Sequence, residues 1–177
     1  LGFAHEVYVR YNTNLSRTAF KNIELFDLLP QFQDWQICAS IDGTGETGEY
    51  IRDGLNYHEW LDNFKKGLAV AKTTREMRLD YTITMLGLLE LKNMFDLSQQ
   101  LDVELLTKVM FTFSNDEILS PLSLPKELLH TIIDEALDYI EPRATRKQKS
   151  LIDTLKNLKT RSVFVPTQKG KQRQEHI

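Results

Sequence analysis

The chain has 177 residues, of which 41% are hydrophobic and 27% charged, which suits one globular domain with a sizeable core. No run of about 18 apolar residues occurs, so we expect no membrane-spanning segment. The single cysteine, Cys38, excludes an intrachain disulfide, and its apolar surroundings are typical of a buried residue in a cytoplasmic protein.

The net charge of −3 divides unevenly, with 12 basic and 23 acidic residues in 1–142 but 10 basic and 2 acidic in 143–177. Phe164 alone interleaves with these late basic charges, which does not favour a nucleic-acid surface.

The chain alternates between strand-like and helix-like segments four times. β-Branched and aromatic residues, partly in alternation, predict strands at 7–11, 35–41, 78–85 and 103–110. Apolar residues at helical spacing predict helices at 20–29, 60–71, 88–97, 125–140 and 145–160. This alternation favours right-handed crossovers and a parallel sheet, either open or part of a larger barrel.

A glycine-bearing loop is predicted from residue 42 to residue 56. Its run 43–48, GTGETG, lacks the Lys-Ser/Thr pair of a Walker loop. The spacing fits GxGxxG, but Glu46 and Glu49 would face phosphates with negative charge, and residues 50–54 separate the run from the next expected helix. A nucleotide-binding sheet is therefore the least favoured alternative.

Polar residues follow the predicted strands at their carboxyl ends. They are Thr13 and Asn14, Ser40 and Asp42, Thr84, and the residues near Lys108. In parallel α/β folds such residues converge on one crevice, where ligands bind. Arg52 can pair with a carboxylate there through its bidentate fork. Ordinary loop and capping chemistry also accounts for Thr13 and Ser40.

Metal and nucleophile motifs are not evident in the sequence. The four histidines are isolated, no CxxC occurs, and no GxSxG places a histidine near Ser40.

Five short motifs, in order along the chain, resemble the radical S-adenosylmethionine superfamily, in particular members with a twitch domain. They are Asn12-Thr13-Asn14-Leu15, Ser40-Ile41-Asp42-Gly43, Arg52, Trp60 with Asn63, and Leu124-Pro125-Lys126-Glu127-Leu128. The resemblance implies a partial (β/α) barrel of about four β/α units, with parallel strands and flanking helices. Residues 1–142 would be the C-terminal part of the barrel core, and residues 143–177 the basic, helical start of a C-terminal extension.

The resemblance also implies a function. The intact protein would bind S-adenosylmethionine beside a [4Fe–4S] cluster and generate a 5′-deoxyadenosyl radical that abstracts hydrogen from an unknown peptide or small-molecule substrate. Ser40, Arg52 and Thr84 would contact the cofactor. Thr13 and Asn14 would face the substrate, while Asp42 and Glu46 would organise the loop.

The chain departs from this family at the cluster. The family holds its cluster with three cysteines in a CxxxCxxC loop, and this chain has one cysteine. We expect that loop in a missing N-terminal part of the same protein, and expect the chain alone to be inactive and, with an open sheet edge, prone to self-association. The alternative is a non-catalytic α/β binding or adaptor module.

Overall fold

Four parallel strands form one sheet at the centre of the fold. The computed structural model describes residues 2–110 and 119–164. The sheet strands are β1 (Tyr8–Thr13), β4 (Asp34–Ile41), β5 (Met77–Ile83) and β6 (Glu104–Val109), and they lie side by side in chain order. A separate hairpin consists of the short strands β2 (Ala19–Phe20) and β3 (Ile23–Glu24). The expected parallel α/β architecture is confirmed at this level.

Helices connect and flank the strands. They are α1 (Leu25–Leu28), α2 (Gly45–Ile51), α3 (Tyr57–Val70), α4 (Leu91–Gln100), α5 (Lys126–Ile140) and α6 (Lys149–Lys159). Short 3-10 turns occupy Ala4–Glu6, Leu29–Gln31, Gly87–Glu90, Pro121–Ser123 and Arg146–Gln148. No described helix is both long and apolar enough to cross a membrane.

The two faces of the sheet differ in polarity. Along β5, Leu79 and Tyr81 are fully buried, whereas Arg78 and Asp80, which alternate with them, are only half-buried. Helix α3 approaches the apolar face so closely that a Cβ at Gly67 would lie 2.6 Å from the Met77 sulfur. One face therefore forms the hydrophobic core with the helices, and the other carries polar and charged side chains.

The helix predicted at 20–29 is largely wrong. Residues 19–24 form the β2–β3 hairpin, in which Phe20 pairs with Ile23 across a two-residue turn, and only Leu25–Leu28 is α-helical. The turn places Lys21 at φ +54°, a left-handed conformation that interrupts a helix. Phe20 and Ile23 lie three residues apart and so fit a helical spacing as well as a hairpin pair.

The loop predicted between residues 42 and 56 contains helix α2, which sequence analysis missed. The four glycines in this stretch indicate a loop by composition, but Thr44 in extended conformation precedes a helix that begins at Gly45. The other predicted helices and the four sheet strands are confirmed, with ends displaced by a few residues. The basic residues of the last thirteen positions lie outside the described residues.

The two edge strands of the sheet differ in what covers their outer sides. At the β6 edge, the Thr107 N–H donates to Ser150 Oγ at 3.0 Å, and Thr154 Oγ1 donates to the Thr107 carbonyl at 3.4 Å. Helix α6 therefore satisfies backbone groups that an added strand would need. Strand β1 forms the other edge, and no described strand pairs with its outer side. Tyr11 of β1 is 51% exposed, and Phe20 of the β2–β3 hairpin, which lines the same surface groove, is 73% exposed.

We expect self-association to depend on the β1 edge rather than the β6 edge. Replacing Tyr11 of β1 and Phe20 of the neighbouring hairpin each with lysine should reduce association, because charges beside an exposed sheet edge oppose pairing with another chain. Light scattering across a concentration series measures this. The matched control is Leu89→Lys, which alters another exposed apolar residue, 67% exposed, away from the sheet edge. An equal effect in the control, or a strictly monomeric wild-type chain, would contradict the expectation.

Candidate functional site

Arg52, which follows helix α2, forms hydrogen bonds with two residues at the carboxyl end of β4. Its Nε and Nη2 donate to Asp42 Oδ2 at 2.9 and 2.7 Å, and its Nη1 donates to the Ser40 carbonyl at 3.1 Å. The side chains of Arg52 and Asp42 are 25% and 13% exposed, so the ion pair is partly shielded from water. The carboxylate that Arg52 was expected to bind is supplied by the chain itself.

Glu90 fixes the start of helix α2, and sequence analysis missed it. Its Oε2 accepts hydrogen bonds from the Thr44 N–H at 2.8 Å and from Thr44 Oγ1 at 2.6 Å, and its Oε1 accepts one from Asn93 at 3.2 Å. Glu90 is only 4% exposed. Its place among leucines, in the run Leu88-Leu89-Glu90-Leu91, was the available signal, since a carboxylate in an apolar helix needs buried partners.

The glycine run serves close backbone packing. A Cβ at Gly48 would lie 2.3 Å from the Gly43 carbonyl oxygen, and one at Gly43 would lie 3.0 Å from Cγ of Glu90. Gly45 has φ +50°, which favours glycine. The expectation that residues 50–54 separate the glycine run from the next helix was wrong, because helix α2 begins inside the run at Gly45. The Glu90 carboxylate nevertheless occupies the Thr44 N–H, which disfavours a phosphate there.

Thr84 lies beside Asp42 at the end of β5. Thr84 Oγ1 accepts a hydrogen bond from the Gly87 N–H at 2.9 Å. A Cβ at Gly87 would lie 3.1 Å from that same oxygen and 3.2 Å from the Asp42 carbonyl oxygen. The structure thus brings Ser40, Asp42, Arg52 and Thr84 together, and we call these four residues the strand-end cluster.

Tyr81 supports this cluster from the apolar face. Its hydroxyl donates to the Gly87 carbonyl, and the ring is fully buried. Burial, and secondarily the nearby charges of Glu90 and Asp42, raise the pKa of Tyr81 well above its ordinary value. The pKa of Tyr57 is also raised, mainly by burial and to a smaller extent by the charge of Glu90. Tyr81 is therefore a neutral donor in the folded protein.

The Thr13–Asn14 segment forms a tight turn on the neighbouring strand. Thr13 Oγ1 accepts from the Leu15 N–H at 3.0 Å, and Asn14 Oδ1 accepts from the Ser16 N–H and hydroxyl at 3.2 and 2.9 Å. Leu15 has φ +54° and is fully buried, and the buried Asn63 donates to its carbonyl at 3.1 Å. Both predicted substrate residues thus hold this turn together.

The turn nevertheless lies next to the strand-end cluster. Thr13 pairs in register with Ala39, the residue before Ser40, so the carboxyl ends of β1 and β4 lie side by side at the same end of the sheet. Thr13 is half-buried and Asn14 exposed. The residue predicted near the end of β6, Lys108, binds Asp80 at 2.7 Å on the polar face.

The chemistry available at this edge is hydrogen bonding and charge pairing. Within residues 2–110 and 119–164, no group of three or more His, Cys, Asp or Glu side chains is placed to hold a metal ion. Cys38 is 1% exposed, as expected, and its nearest polar neighbours are Arg10 and Gln36 on the polar face. The edge is suited to an organic ligand with hydroxyl, amine or carboxylate groups.

Comparisons with protein-family models, with curated proteins and with solved structures found no match.

Arg52→Ala should destabilise the fold by about 1–3 kcal/mol, because it leaves the partly buried Asp42 carboxylate and the Ser40 carbonyl without their donor. Urea denaturation of Arg52→Ala, Asp42→Ala and the double variant measures the coupling. We expect the double variant to lose less than the sum of the single variants. Strictly additive losses would show that the pair contributes nothing of its own.

Stability should fall at alkaline pH through Tyr81. Below about pH 10 the phenol is protonated in both the folded and unfolded chains, so its contribution is constant. Above that, the unfolded chain ionises while the folded chain keeps its raised pKa, and stability decreases by up to about 1.4 kcal/mol per pH unit. Urea titrations should show a weaker decrease for Tyr81→Phe than for the control Tyr50→Phe, whose ring is 77% exposed. Identical slopes would rule out this role.

Proposed function

We propose that this chain is part of a radical S-adenosylmethionine enzyme and that its strand-end cluster helps to bind S-adenosylmethionine. The bound cofactor would supply the radical that abstracts hydrogen from a peptide or small-molecule substrate. The single observation that carries the proposal is the cluster itself, a hydroxyl, a carboxylate, a guanidinium and a second hydroxyl gathered at the carboxyl ends of adjacent parallel strands.

The strand order supports a partial barrel. All four sheet strands are parallel and follow one another in chain order. In doubly wound sheets the order reverses at the ligand crevice, whereas in (β/α) barrels successive strands are neighbours. A polar inner face opposite the helix-covered face is also what a barrel wall needs, since the inner face then lines the ligand space.

The cluster residues fit the organic part of the cofactor. Among the described residues only Oδ2 of Asp42 accepts a hydrogen bond, so Oδ1 stays available for an amine or a ribose hydroxyl. Arg52 uses three of its N–H groups within the chain and keeps others for a carboxylate. Ser40 is half-buried beside them and offers its hydroxyl.

The iron–sulfur cluster does not fit the residues of this chain. Cys38 is buried within β4, and the described residues form no metal-binding group. In this proposal another segment of the same protein would hold the cluster. The role proposed here is to orient S-adenosylmethionine and to exclude water around it.

The binding-module alternative has one observation in its favour. Arg52, Thr13 and Asn14 all make intramolecular hydrogen bonds that account for them structurally. A scaffold that binds a partner without catalysis would show the same contacts.

S-adenosylmethionine should bind the chain saturably, and Ser40→Ala should weaken binding about 5- to 10-fold through loss of one hydrogen bond. Isothermal titration calorimetry measures this, with Thr131→Ala on the outer side of α5 as the matched control. Its hydroxyl bonds only a carbonyl of its own helix among the described residues. ATP binding that Gly45→Ala abolishes, without S-adenosylmethionine binding, would favour the nucleotide-binding alternative at the glycine run. Absence of S-adenosylmethionine binding with no such ATP binding would favour the non-catalytic module.

The catalytic half of the proposal has its own test. The coding sequence upstream of Leu1 should contain CxxxCxxC, and the chain joined to that segment should gain iron-dependent absorbance after anaerobic reconstitution. An upstream segment without those cysteines would refute the radical mechanism while leaving cofactor binding to be judged by calorimetry.

A further inference from the structure

Two grooves meet near the amino-terminal ends of β5 and β6, at the other end of the strands from the strand-end cluster. The smaller has a volume of about 390 Å³, and we call it the basic pocket; its lining is Thr74, Arg75, Arg78, Glu104, Arg146 and Lys147. The larger groove, about 810 Å³, runs along α6 and shares Glu104 and Arg146 with the basic pocket. Both volumes lie in the range of small-molecule sites.

The basic pocket gathers more positive charge than the protein neutralises. Four of its side chains are cationic and one is a carboxylate. Arg78 pairs with Glu104 at 3.2 Å, and Lys147 pairs with Asp102 at 2.6 Å. Within the part of the chain that the structure describes, the guanidinium groups of Arg75 and Arg146 have no acidic partner. Like charges gathered on one concave surface repel each other, and a bound anion would relieve that repulsion.

The backbone that carries Arg75 is held in place. Glu76, 5% exposed, accepts a hydrogen bond from the Thr73 N–H at 2.9 Å. The Arg75 carbonyl accepts from Gln36 Nε2 and from Arg78 Nε, each at 3.1 Å. One wall of the pocket is therefore preorganised, which lowers the cost of ordering it around a ligand.

The opposite wall is equally defined. Thr145 and Gln148 form a capping box that fixes the turn Arg146–Gln148 ahead of α6. The first turns of this helical segment contain basic residues and no acidic one. Because positive charge is unfavourable at a helix start, an anion bound beside Arg146 would offset it.

We propose that the basic pocket binds a phosphate-bearing small molecule. The phosphate lies between Arg75 and Arg146, whose planar groups match phosphate oxygens in geometry and charge. The rest of the ligand extends along the larger groove, past polar side chains of α6 such as Ser150 and Asn157. Neither groove has an aromatic residue in its described lining, so base stacking by single-stranded nucleic acid is not favoured.

The test uses inorganic pyrophosphate and ATP as probes in isothermal titration calorimetry at low ionic strength. We expect saturable binding at or below about 1 mM, weakened about tenfold or more in the double variant Arg75→Gln/Arg146→Gln. The matched control is Arg17→Gln/Lys65→Gln, which removes the same charge from exposed residues outside both grooves. Circular dichroism checks folding, and the single variant Arg146→Gln serves if the double variant does not fold.

Three results would overturn the proposal. They are the absence of saturable pyrophosphate and ATP binding, an equal loss in the control variant, and binding of an RNA oligonucleotide without binding of either small phosphate. The last would assign the surface to nucleic acid. Substitution of both arginines with lysine should keep part of the affinity, because the charge remains while the bidentate geometry is lost. These results are independent of S-adenosylmethionine binding at the strand-end cluster.

Discussion

Parallel pairing of four strands, with one face buried under helices, is the constraint on which the rest of this structure depends. It buries residues such as Trp35, Ile37 and Leu79 together with the apolar sides of the helices. Because the strands are parallel, their carboxyl ends meet at one edge, and loops that are distant in sequence become neighbours there. The positions of Thr13, Ser40 and Thr84 follow from that pairing.

The loop after β4 is shaped by charged groups in partly or fully buried positions. Arg52 holds Asp42 and the Ser40 carbonyl, and Glu90 holds Thr44 from the opposite side. Each charged group has hydrogen-bonding partners within the chain, which reduces the free-energy cost of keeping it away from water. The result is a preorganised group of polar side chains, as the proposed S-adenosylmethionine site would require.

The two proposed sites lie at opposite ends of the same strands and differ in chemistry. The strand-end cluster combines hydroxyls with an internally neutralised ion pair, which suits a ligand of mixed polarity. The basic pocket keeps two arginines without acidic partners among the described residues, which suits an anion. Helix α6 has two roles. Its Ser150 accepts a hydrogen bond from the backbone of edge strand β6, and the helix also lines the larger groove beside the basic pocket.

The sequence by itself determined the strand and helix alternation, the parallel sheet, and the polar residues expected at its carboxyl edge, because hydrophobic periodicity and strand-end position are local signals. It misassigned residues 19–24 and 45–51, where a spacing of three fits both a hairpin and a helix and where glycines suggested a loop. Only the tertiary structure decided that Arg52 binds Asp42, that Glu90 holds Thr44 and that Arg75 and Arg146 line one pocket. These residues are not close neighbours in the chain, and no local sequence pattern links them, so only the packing of the folded chain brings them together.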